Sequence, residues 1–199
     1  MLTVTTDPDR RVIEASALWR RLDTPGHDAA RLLRTSPGRR LEGGAVFHHE
    51  SGPARLDYAV TLADDWTALA GEVRGFAGGA EIAVAVERDA GRWRLNGATV
   101  DGLDDLVDLD FGFTPATNLP QLRRLDLAIG DAAEFEVAWW DVGETSLTRL
   151  VQRYERIGER AYRYRSPSVG YAETLELGPG GFVRVYPELW RLETDGPPG

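Results

Sequence analysis

The chain has 199 residues, of which 42% are hydrophobic and 28% are charged, the composition of an ordinary soluble domain. It has no cysteine, and all 23 basic side chains are arginine, which excludes disulfides, zinc–thiolate sites, cysteine nucleophiles and Schiff-base lysines. The 32 acidic side chains bring the net charge to −9, and because this charge repels phosphate groups we expect no nucleic-acid partner.

Length and hydropathy indicate how the chain is organised. A length of 199 residues favours a single domain over residues 1–199. The N-terminal residues contain no apolar stretch of the kind found in export signals, and long apolar runs do not occur elsewhere. We therefore expect a cytoplasmic protein with no integral membrane segment.

The first forty residues carry only weak signals, and short helices are possible at residues 8–20 and 25–34. From about residue 40 onward, apolar residues alternate with polar or small ones. The clearest alternating sets are Leu56, Tyr58, Val60 and Leu62, then Ile82, Val84 and Val86, and then Phe135, Val137 and Trp139. A period of two predicts strands with one buried face.

Turn sequences rich in glycine separate these strands at short intervals. One of them, Asn96-Gly97, lies between residues 92–95 and 98–100 and predicts a tight hairpin. A long meander of such hairpins curls or closes to hide its edge strands. The sequence therefore predicts a mainly β protein, a single-domain, strongly curved antiparallel sheet of the spiral β-roll or half-barrel type, with little helix.

Residues 106–118, LVDLDFGFTPATN, carry the most chemistry. On a strand, Asp108 and Asp110 would lie on one face. Their carboxylates could share a metal ion, divide acid and base roles, bind sugar hydroxyls, or pair with Arg123 or Arg124 in a structural role. The structural role is the simpler interpretation, because acidic residues two positions apart are common on the exposed side of strands.

The residues that follow are interpreted as a loop and a strand. Prolines at both ends of residues 115–120 exclude a long helix there and predict an ordered loop. A strand over residues 122–129 would place Arg123 on the same face as three apolar residues. A desolvated arginine needs an anion, which would be either one of the two aspartates or a ligand head group.

Aromatic side chains support two further interpretations. Trp139 and Trp140 are consecutive and face opposite sides of a strand, so one of them must face solvent, a second layer or a ligand. Residues 147–166 could form a helix, but Gly158 divides them into two segments rich in tyrosine and arginine, which favours a hairpin. Its arginine–tyrosine face could stack on bases or sugars, although a self-pairing hairpin face is the simpler interpretation.

Catalytic motifs are scarce. The adjacent histidines His48 and His49 point to opposite faces of a strand and cannot hold one ion. Neither a GxSxG nor an HExxH motif occurs. We therefore expect no metal site and no cofactor, and we assign no catalytic residue.

Several of these features together resemble the bacterial family known as putative glycolipid-binding proteins. The matching elements are Trp19-Arg20-Arg21-Leu22, Leu56-Asp57-Tyr58 leading to Asp64-Asp65-Trp66, Trp93 with Asn96-Gly97, residues 108–118 with Arg123-Arg124-Leu125, Gln152, Tyr154, Tyr162 and Tyr164, and residues 186–190, YPELW. The resemblance spans about residues 14–192 and leaves 1–13 and 193–199 as peripheral tails. Where the family commonly has Leu-Pro-Ile before the arginine pair, this chain has Leu119-Pro120-Gln121-Leu122.

The resemblance implies a spiral β-roll with an apolar concavity, akin to lipoprotein carriers, and a non-enzymatic protein that binds an amphipathic or glycolipid-like small molecule there. An acyl chain would suit such a concavity, and a few polar groups at its mouth would fix a head group. The candidate ligand-binding residues are Asp108, Asp110, Thr114, Asn118, Arg123, Arg124, Trp139, Tyr154, Tyr162, Tyr186 and Trp190.

Two other functions stay open. A small-molecule hydrolase or isomerase would use Asp108 and Asp110, and a non-catalytic interaction protein would use an exposed Trp139 or Trp140 as its contact. The net charge favours a neutral ligand, unless Arg123 and Arg124 neutralise an anionic one locally. The sequence does not indicate an oligomeric state.

Overall fold

The structure is a computed structural model that describes residues 12–196, and these residues form one sheet of 15 strands. Neighbouring strands are antiparallel except β9 and β10, which are parallel. The strands are β1 (Val12–Arg21), β2 (Gly26–Arg34), β3 (Arg39–His49), β4 (Gly52–Leu62), β5 (Ala68–Ala77), β6 (Ala80–Asp89), β7 (Arg92–Leu95), β8 (Ala98–Val100), β9 (Leu109–Phe111), β10 (Ala132–Trp140), β11 (Thr148–Arg156), β12 (Ala161–Ser166), β13 (Tyr171–Leu177), β14 (Val183–Tyr186) and β15 (Trp190–Gly196). The helices are α1 (Asn118–Leu125) and a short 3-10 helix (Pro167–Val169).

The first strand lies in the middle of the sheet. Strands β1 to β8 follow one another outward to one edge. Residues 101–131, the crossing segment, then lead to the opposite edge and contain both the edge strand β9 and helix α1. Strands β9 to β15 return to the centre, where β15 pairs with β1 and Arg21 lies opposite Trp190. This meander confirms the prediction of a mainly β protein built on one large curved sheet.

The crossing segment is hydrogen-bonded to both halves of the sheet. The main-chain N–H of Ala68, on β5, donates to the Val107 carbonyl over 2.9 Å. The N–H of Ala138, on β10, donates to the next carbonyl, that of Asp108, also over 2.9 Å. Because both bonds go to adjacent residues, the segment is fixed between two strands that are far apart in the strand order.

Aromatic rings of the crossing segment fill the inner face of the sheet. The buried rings of Phe111 and Phe113 stack with their centroids 5.7 Å apart, and Phe113 meets the ring of Tyr58 at 5.6 Å. Gly71 leaves room for this packing, since a Cβ there would lie 2.3 Å from the Leu109 side chain. The apolar concavity that the resemblance implies is therefore occupied by the chain's own side chains.

The strand predicted over residues 122–129 is wrong, because residues 118–125 form helix α1. Leu119 and Leu122, three positions apart, are buried on one side of the helix, and Pro120 lies in its first turn, where proline is tolerated. Asp126 ends the helix in the left-handed region, with φ of 40° and its N–H donating to Leu122. The ordered loop predicted for residues 115–120 is therefore wrong for 118–120, which are helical, and only residues 115–117 lie outside the helix.

The helices suggested near the N-terminus are also wrong over the described residues, where β1 and β2 stand instead. Ala15, Ala17 and Trp19 are buried at every second position, and β1 pairs on both sides. Residues 12, 13 and 193–196, expected to be peripheral, belong to β1 and β15. Residues 1–11 and 197–199, including the start of the first suggested helix, lie outside the described residues.

Both predicted hairpins are confirmed. Strands β7 and β8 pair across Asn96-Gly97, and β11 and β12 pair on either side of Gly158. Over residues 12–196, no helix combines the length and the apolar character needed to cross a membrane.

Candidate functional site

A cavity of about 290 Å³ lies where strands β10 and β12 end and strands β13 and β15 begin. Loop 112–117 and Asn118, the first residue of α1, form one of its walls. Its aromatic lining consists of Phe111, Trp139, Tyr164, Tyr171, Tyr186 and Trp190. Its polar lining consists of Asp110, Asp141, Thr114, Asn118 and Ser166.

Asp110 is the deeper of the two carboxylates in the cavity wall. Its Oδ1 accepts a hydrogen bond of 2.5 Å from the Thr117 hydroxyl, and its Oδ2 accepts one of 2.7 Å from the Gln152 amide. Burial raises the pKa of Asp110, and these two bonds oppose that rise. The bonds fix the carboxylate in one orientation at the cavity.

Asp141 follows β10 directly and forms a second acidic group in the same cavity. Burial raises its pKa to about 6, although the Val142 N–H donates to its Oδ1 over 2.7 Å. Gly112 allows this carboxylate to come close to Trp139, because a Cβ at position 112 would lie 2.5 Å from Asp141 Oδ2 and 2.9 Å from Trp139 Nε1. A carboxylate acceptor and an indole donor therefore both lie beside Gly112 in the cavity wall.

A buried polar layer lies beneath the cavity. The Asn118 amide donates to the Tyr154 hydroxyl over 2.7 Å, and that hydroxyl donates to Gln121 Oε1 over 3.2 Å. Among the described residues, Gln121 Nε2 and Gln152 Oε1 are buried side-chain atoms without a hydrogen-bond partner. Because a buried polar atom without a partner costs free energy, this layer is held by the surrounding packing and not by complete hydrogen bonding.

Tyrosine rings form another part of the cavity wall. The ring centroids of Tyr164 and Tyr186 are 5.8 Å apart, those of Tyr171 and Tyr186 are 5.2 Å apart, and Tyr154 packs behind Tyr164 at 4.9 Å. Burial raises the pKa of each of these phenols above its ordinary value. Their hydroxyls are therefore protonated at neutral pH and can donate as well as accept.

Loop 112–117 is anchored to the sheet by a buried carboxylate. Asp28, on β2, accepts hydrogen bonds from the hydroxyls of Thr114 at 2.5 Å and Tyr58 at 2.9 Å. The Thr114 oxygen also accepts the Ala116 N–H over 3.0 Å. Burial raises the pKa of Asp28 to about 7, although both hydroxyls oppose the rise. This anchor fixes a loop that forms part of the cavity wall.

The structure places six of the eleven predicted ligand-binding residues in the cavity wall and one directly beneath it. The six are Asp110, Thr114, Asn118, Trp139, Tyr186 and Trp190. Tyr154 is fully buried in the polar layer. These residues come from four separate parts of the chain, and the fold brings them together.

The other four predicted residues lie elsewhere. Asp108 accepts three hydrogen bonds of 2.6 to 3.1 Å from the Arg124 guanidinium, so its carboxylate is used in an ion pair. Arg123 donates to the Gly180 carbonyl over 3.2 Å and lines, with Tyr162, a separate pocket of about 180 Å³. The structure thus does not bring Asp108 and Asp110 together for joint acid–base chemistry.

Trp139 and Trp140 do face different surroundings, as their adjacency predicts, but neither is exposed. Trp140 is buried in the core and donates to the Glu144 carbonyl over 3.0 Å, while Trp139 is half-buried in the cavity wall. The interaction-protein hypothesis, which needs an exposed tryptophan at one of these positions, therefore loses its contact residue.

Ten residues of the cavity wall are not among the predicted ligand-binding residues, and four of these carry a polar group: Asp141, Tyr164, Ser166 and Tyr171. A signal for Asp141 was present, since it directly follows the tryptophan pair at the end of an alternating strand. Arg21, which is not among the predicted ligand-binding residues, lies over the rings of Trp190 at 5.3 Å and Phe47 at 4.8 Å.

A larger groove of about 730 Å³ crosses the outer face of β1 to β5. Small residues such as Ala29, Gly44 and Ala59 form its floor. Its charged walls are already paired within the chain, for example Arg31 with Glu42 at 2.6 Å and Arg40 with Glu72 at 2.5 Å. The groove lining includes one aromatic residue, Tyr58, against six in the end cavity. Because the charges of the groove are paired and its lining is poor in aromatic rings, we regard the end cavity as the better candidate site.

The fold and the cavity define a class of protein: one long, curved, mostly antiparallel sheet packed around its own crossing segment, with an aromatic and acidic cavity at one end. The family model described as "putative glycolipid-binding" matches residues 16–192, and the chain belongs to this family.

Two solved structures are similar to this chain. A crystal structure of a DUF1089 family protein from Pseudomonas aeruginosa has a TM-score of 0.73 and 25% sequence identity, covering 82% of this chain and 90% of that chain. A β-barrel-like protein of the DUF1849 domain from Brucella abortus has a TM-score of 0.52 and 11% identity, covering 94% of this chain and 98% of that chain, and shows similarity of fold alone. No curated protein matches the chain.

Proposed function

We propose that this protein binds the hydroxyl-rich head group of an uncharged amphipathic molecule, in the simplest case a sugar ring, in the cavity at the end of the sheet. The observation that carries the proposal is that two carboxylates, Asp110 and Asp141, share one cavity of about 290 Å³ with six aromatic side chains. Carboxylates accept hydrogen bonds from hydroxyl groups, and aromatic faces pack on the apolar faces of sugar rings.

The charge of the site supports an uncharged ligand. Asp110 and Asp141 place acidic groups in the wall, and the whole chain carries −9. An anionic head group would add like charge to a site in which burial already disfavours ionisation. A neutral ligand with several hydroxyl groups satisfies the same acceptors without that cost.

The size of the site supports a small head group. A volume of about 290 Å³ lies near the lower end of the roughly 300–1,000 Å³ that small-molecule sites occupy. The inner face of the sheet is filled by Phe111, Phe113 and their neighbours. The cavity therefore suits a group of about one ring and not a lipid with its acyl chains.

Binding of methyl glycosides to the purified protein tests this proposal. We expect methyl β-glucoside or methyl β-galactoside to shift the amide and indole NMR resonances of Trp139. Asp141→Asn should weaken this binding, because an amide accepts hydrogen bonds less strongly than a carboxylate. Asp57→Asn is the matched control, since Asp57 is an exposed carboxylate of the outer groove.

Two results would contradict the proposal. One is the absence of any resonance shift with either glycoside at millimolar concentration. The other is weakened binding in Asp57→Asn with unchanged binding in Asp141→Asn, which would assign the ligand to the outer groove.

A hydrolase or isomerase acting in the same cavity is a second candidate, because Asp141 has a pKa of about 6 and shares the cavity with a second carboxylate. Groups that titrate near neutral pH are suited to general acid–base catalysis. Prolonged NMR observation of bound glycosides distinguishes the two functions. An enzyme would convert the glycoside and lose turnover in Asp141→Asn, whereas a binding protein would leave the glycoside unchanged.

A further inference from the structure

Apolar side chains extend the wall of the cavity onto the protein surface. Val169, at the end of the 3-10 helix, lines the cavity and is 59% exposed. Leu189 lines the cavity from the turn between β14 and β15. The Leu22 N–H donates to the Leu189 carbonyl over 2.8 Å, which places the exposed Leu22 beside it. We call Leu22, Val169 and Leu189 the apolar rim.

The two sides of the apolar rim are tied together. The Tyr171 hydroxyl donates to the Pro187 carbonyl over 2.7 Å and so joins the segment after the 3-10 helix to the turn that carries Leu189. The Tyr171 ring also lines the cavity. The rim is therefore a fixed continuation of the cavity and not a separate patch on a free loop.

The interior offers an apolar chain no comparable path. Phe111 lines the cavity and stacks on Phe113 at 5.7 Å, and both rings and Leu119 are almost completely buried. Together with the strands they form a closely packed core. A chain that followed the head group inward would have to displace these side chains, which close-packed cores resist.

Resting on the proposed function, we propose that only the head group of the ligand enters the cavity, and that the first part of its alkyl chain leaves across the apolar rim. The occupant of the rim is therefore the alkyl chain of the same ligand. The continuity of Val169 and Leu189 with the cavity and the filled inner face of the sheet both support this orientation. The protein would then recognise a glycolipid by its head and leave most of the tail outside.

This orientation predicts a limited dependence of affinity on chain length. Burying a methylene group favours binding by roughly two- to fourfold, depending on how completely it leaves water. The rim consists of three side chains, so this gain should appear for the first few carbons and then stop. A chain enclosed by the protein would instead add affinity with each further carbon.

The experiment is a calorimetric titration of the full chain with methyl, butyl, hexyl, octyl and decyl β-glucosides and β-galactosides, below their micelle concentrations. We expect affinity to rise from methyl to about hexyl and then to level off. Val169→Ser should reduce the gain from methyl to hexyl severalfold, over and above any change in methyl glycoside affinity. Ile129→Ser is the matched control. Ile129 is 63% exposed and precedes the first residue of β10, at the end of that strand away from the cavity, so its replacement should change neither the gain with chain length nor the affinity for methyl glycosides.

The possible failures can be told apart. If methyl glycosides bind but affinity does not rise with chain length, or if Val169→Ser and Ile129→Ser behave alike, the rim proposal is overturned and the proposed function stands. A continuous rise to decyl would also overturn it, since the chain would then be enclosed. If no glycoside of either series binds, the proposed function fails and this inference fails with it.

Discussion

Thr114 donates a hydrogen bond of 2.5 Å to Asp28, and this bond joins the loop of the candidate site to strand β2. The Asp28 carboxyl is 1% exposed and also accepts from Tyr58. The cavity wall is thus attached to the sheet through an ionisable group whose pKa burial raises to about 7. The stability of the molecule should therefore depend on pH near neutrality.

The sign of this dependence follows from proton binding. The folded chain holds the Asp28 proton up to about pH 7, whereas the unfolded chain loses it near 3.8. Between these values the folded state binds more protons, so stability falls as pH rises. We expect the unfolding free energy, measured in urea, to decrease between about pH 4 and about pH 7.5, and Asp28→Asn to remove up to about 4 kcal/mol of this total decrease. Asp57→Asn should keep the slope of the natural chain, and an equal slope in Asp28→Asn would refute the prediction.

The ion pair between Asp108 and Arg124 should matter for stability and not for ligand binding. Asp108 is buried, so Arg124→Met leaves a buried carboxylate without its partner, at an expected cost of about 3–5 kcal/mol. Arg123→Met removes an exposed neighbour on the same helix and should cost about 0.5 kcal/mol or less. Urea unfolding of both variants measures the difference. Equal stabilities would show that the pair contributes little.

Asp141 should make ligand affinity depend on pH. Its pKa of about 6 means that the carboxylate becomes ionised between about pH 5 and pH 7. A hydrogen bond to a charged acceptor is stronger than one to a neutral acceptor, so glycoside affinity should rise about fivefold over this range. In Asp141→Asn the rise should be much smaller, with Asp110 contributing the remainder. Calorimetric titrations at several pH values measure both rises. A rise of equal size in the variant would exclude Asp141 as the cause.

Gly112 should be required for an open cavity. A Cβ at this position would lie 2.5 Å from Asp141 Oδ2, so Gly112→Ala must displace either the carboxylate or the loop. We expect glycoside affinity to fall at least about tenfold because a displaced acceptor loses its hydrogen bond. Gly79→Ala is the matched control, since a Cβ there meets nothing within 4 Å. Similar affinities for the two variants would count against the assigned site.

Strands with clear alternation could be predicted from the sequence because each depends on its own pattern. Leu56, Tyr58, Val60 and Leu62 form the buried face of β4 as their spacing indicates. The hairpin of β11 and β12 likewise follows from local tyrosine alternation and a central glycine.

Helix α1 could not be predicted in this way, because Arg123, Leu125, Leu127 and Ile129 alternate like a strand. Residues 118–125 are helical because a helix buries Leu119 and Leu122 together against residues distant in sequence. Tertiary packing therefore outweighs the local pattern, as is common for short segments.

The candidate site was only partly predictable for a related reason. The block with Asp110, Thr114 and Asn118 is conspicuous in the sequence, and these three residues reach one cavity. The contribution of Asp141 depends on how closely Gly112 approaches it from another part of the chain. That approach is a property of the folded sheet, and no local spacing indicates it.

The pairing of β1 with β15 has a consequence for the order in which the molecule is completed. Leu22 and Trp19 contact partners more than 160 residues later, since the Trp19 indole donates to the Val183 carbonyl over 2.6 Å with a separation of 164 residues. Such non-local contacts slow folding because a long loop must close before they form. During synthesis β1 to β8 leave the ribosome while the edge of β1 that later pairs with β15 is still unpaired. The cavity is finished only when Tyr186 and Trp190 have been synthesised, so the candidate site is among the last features of the protein to form.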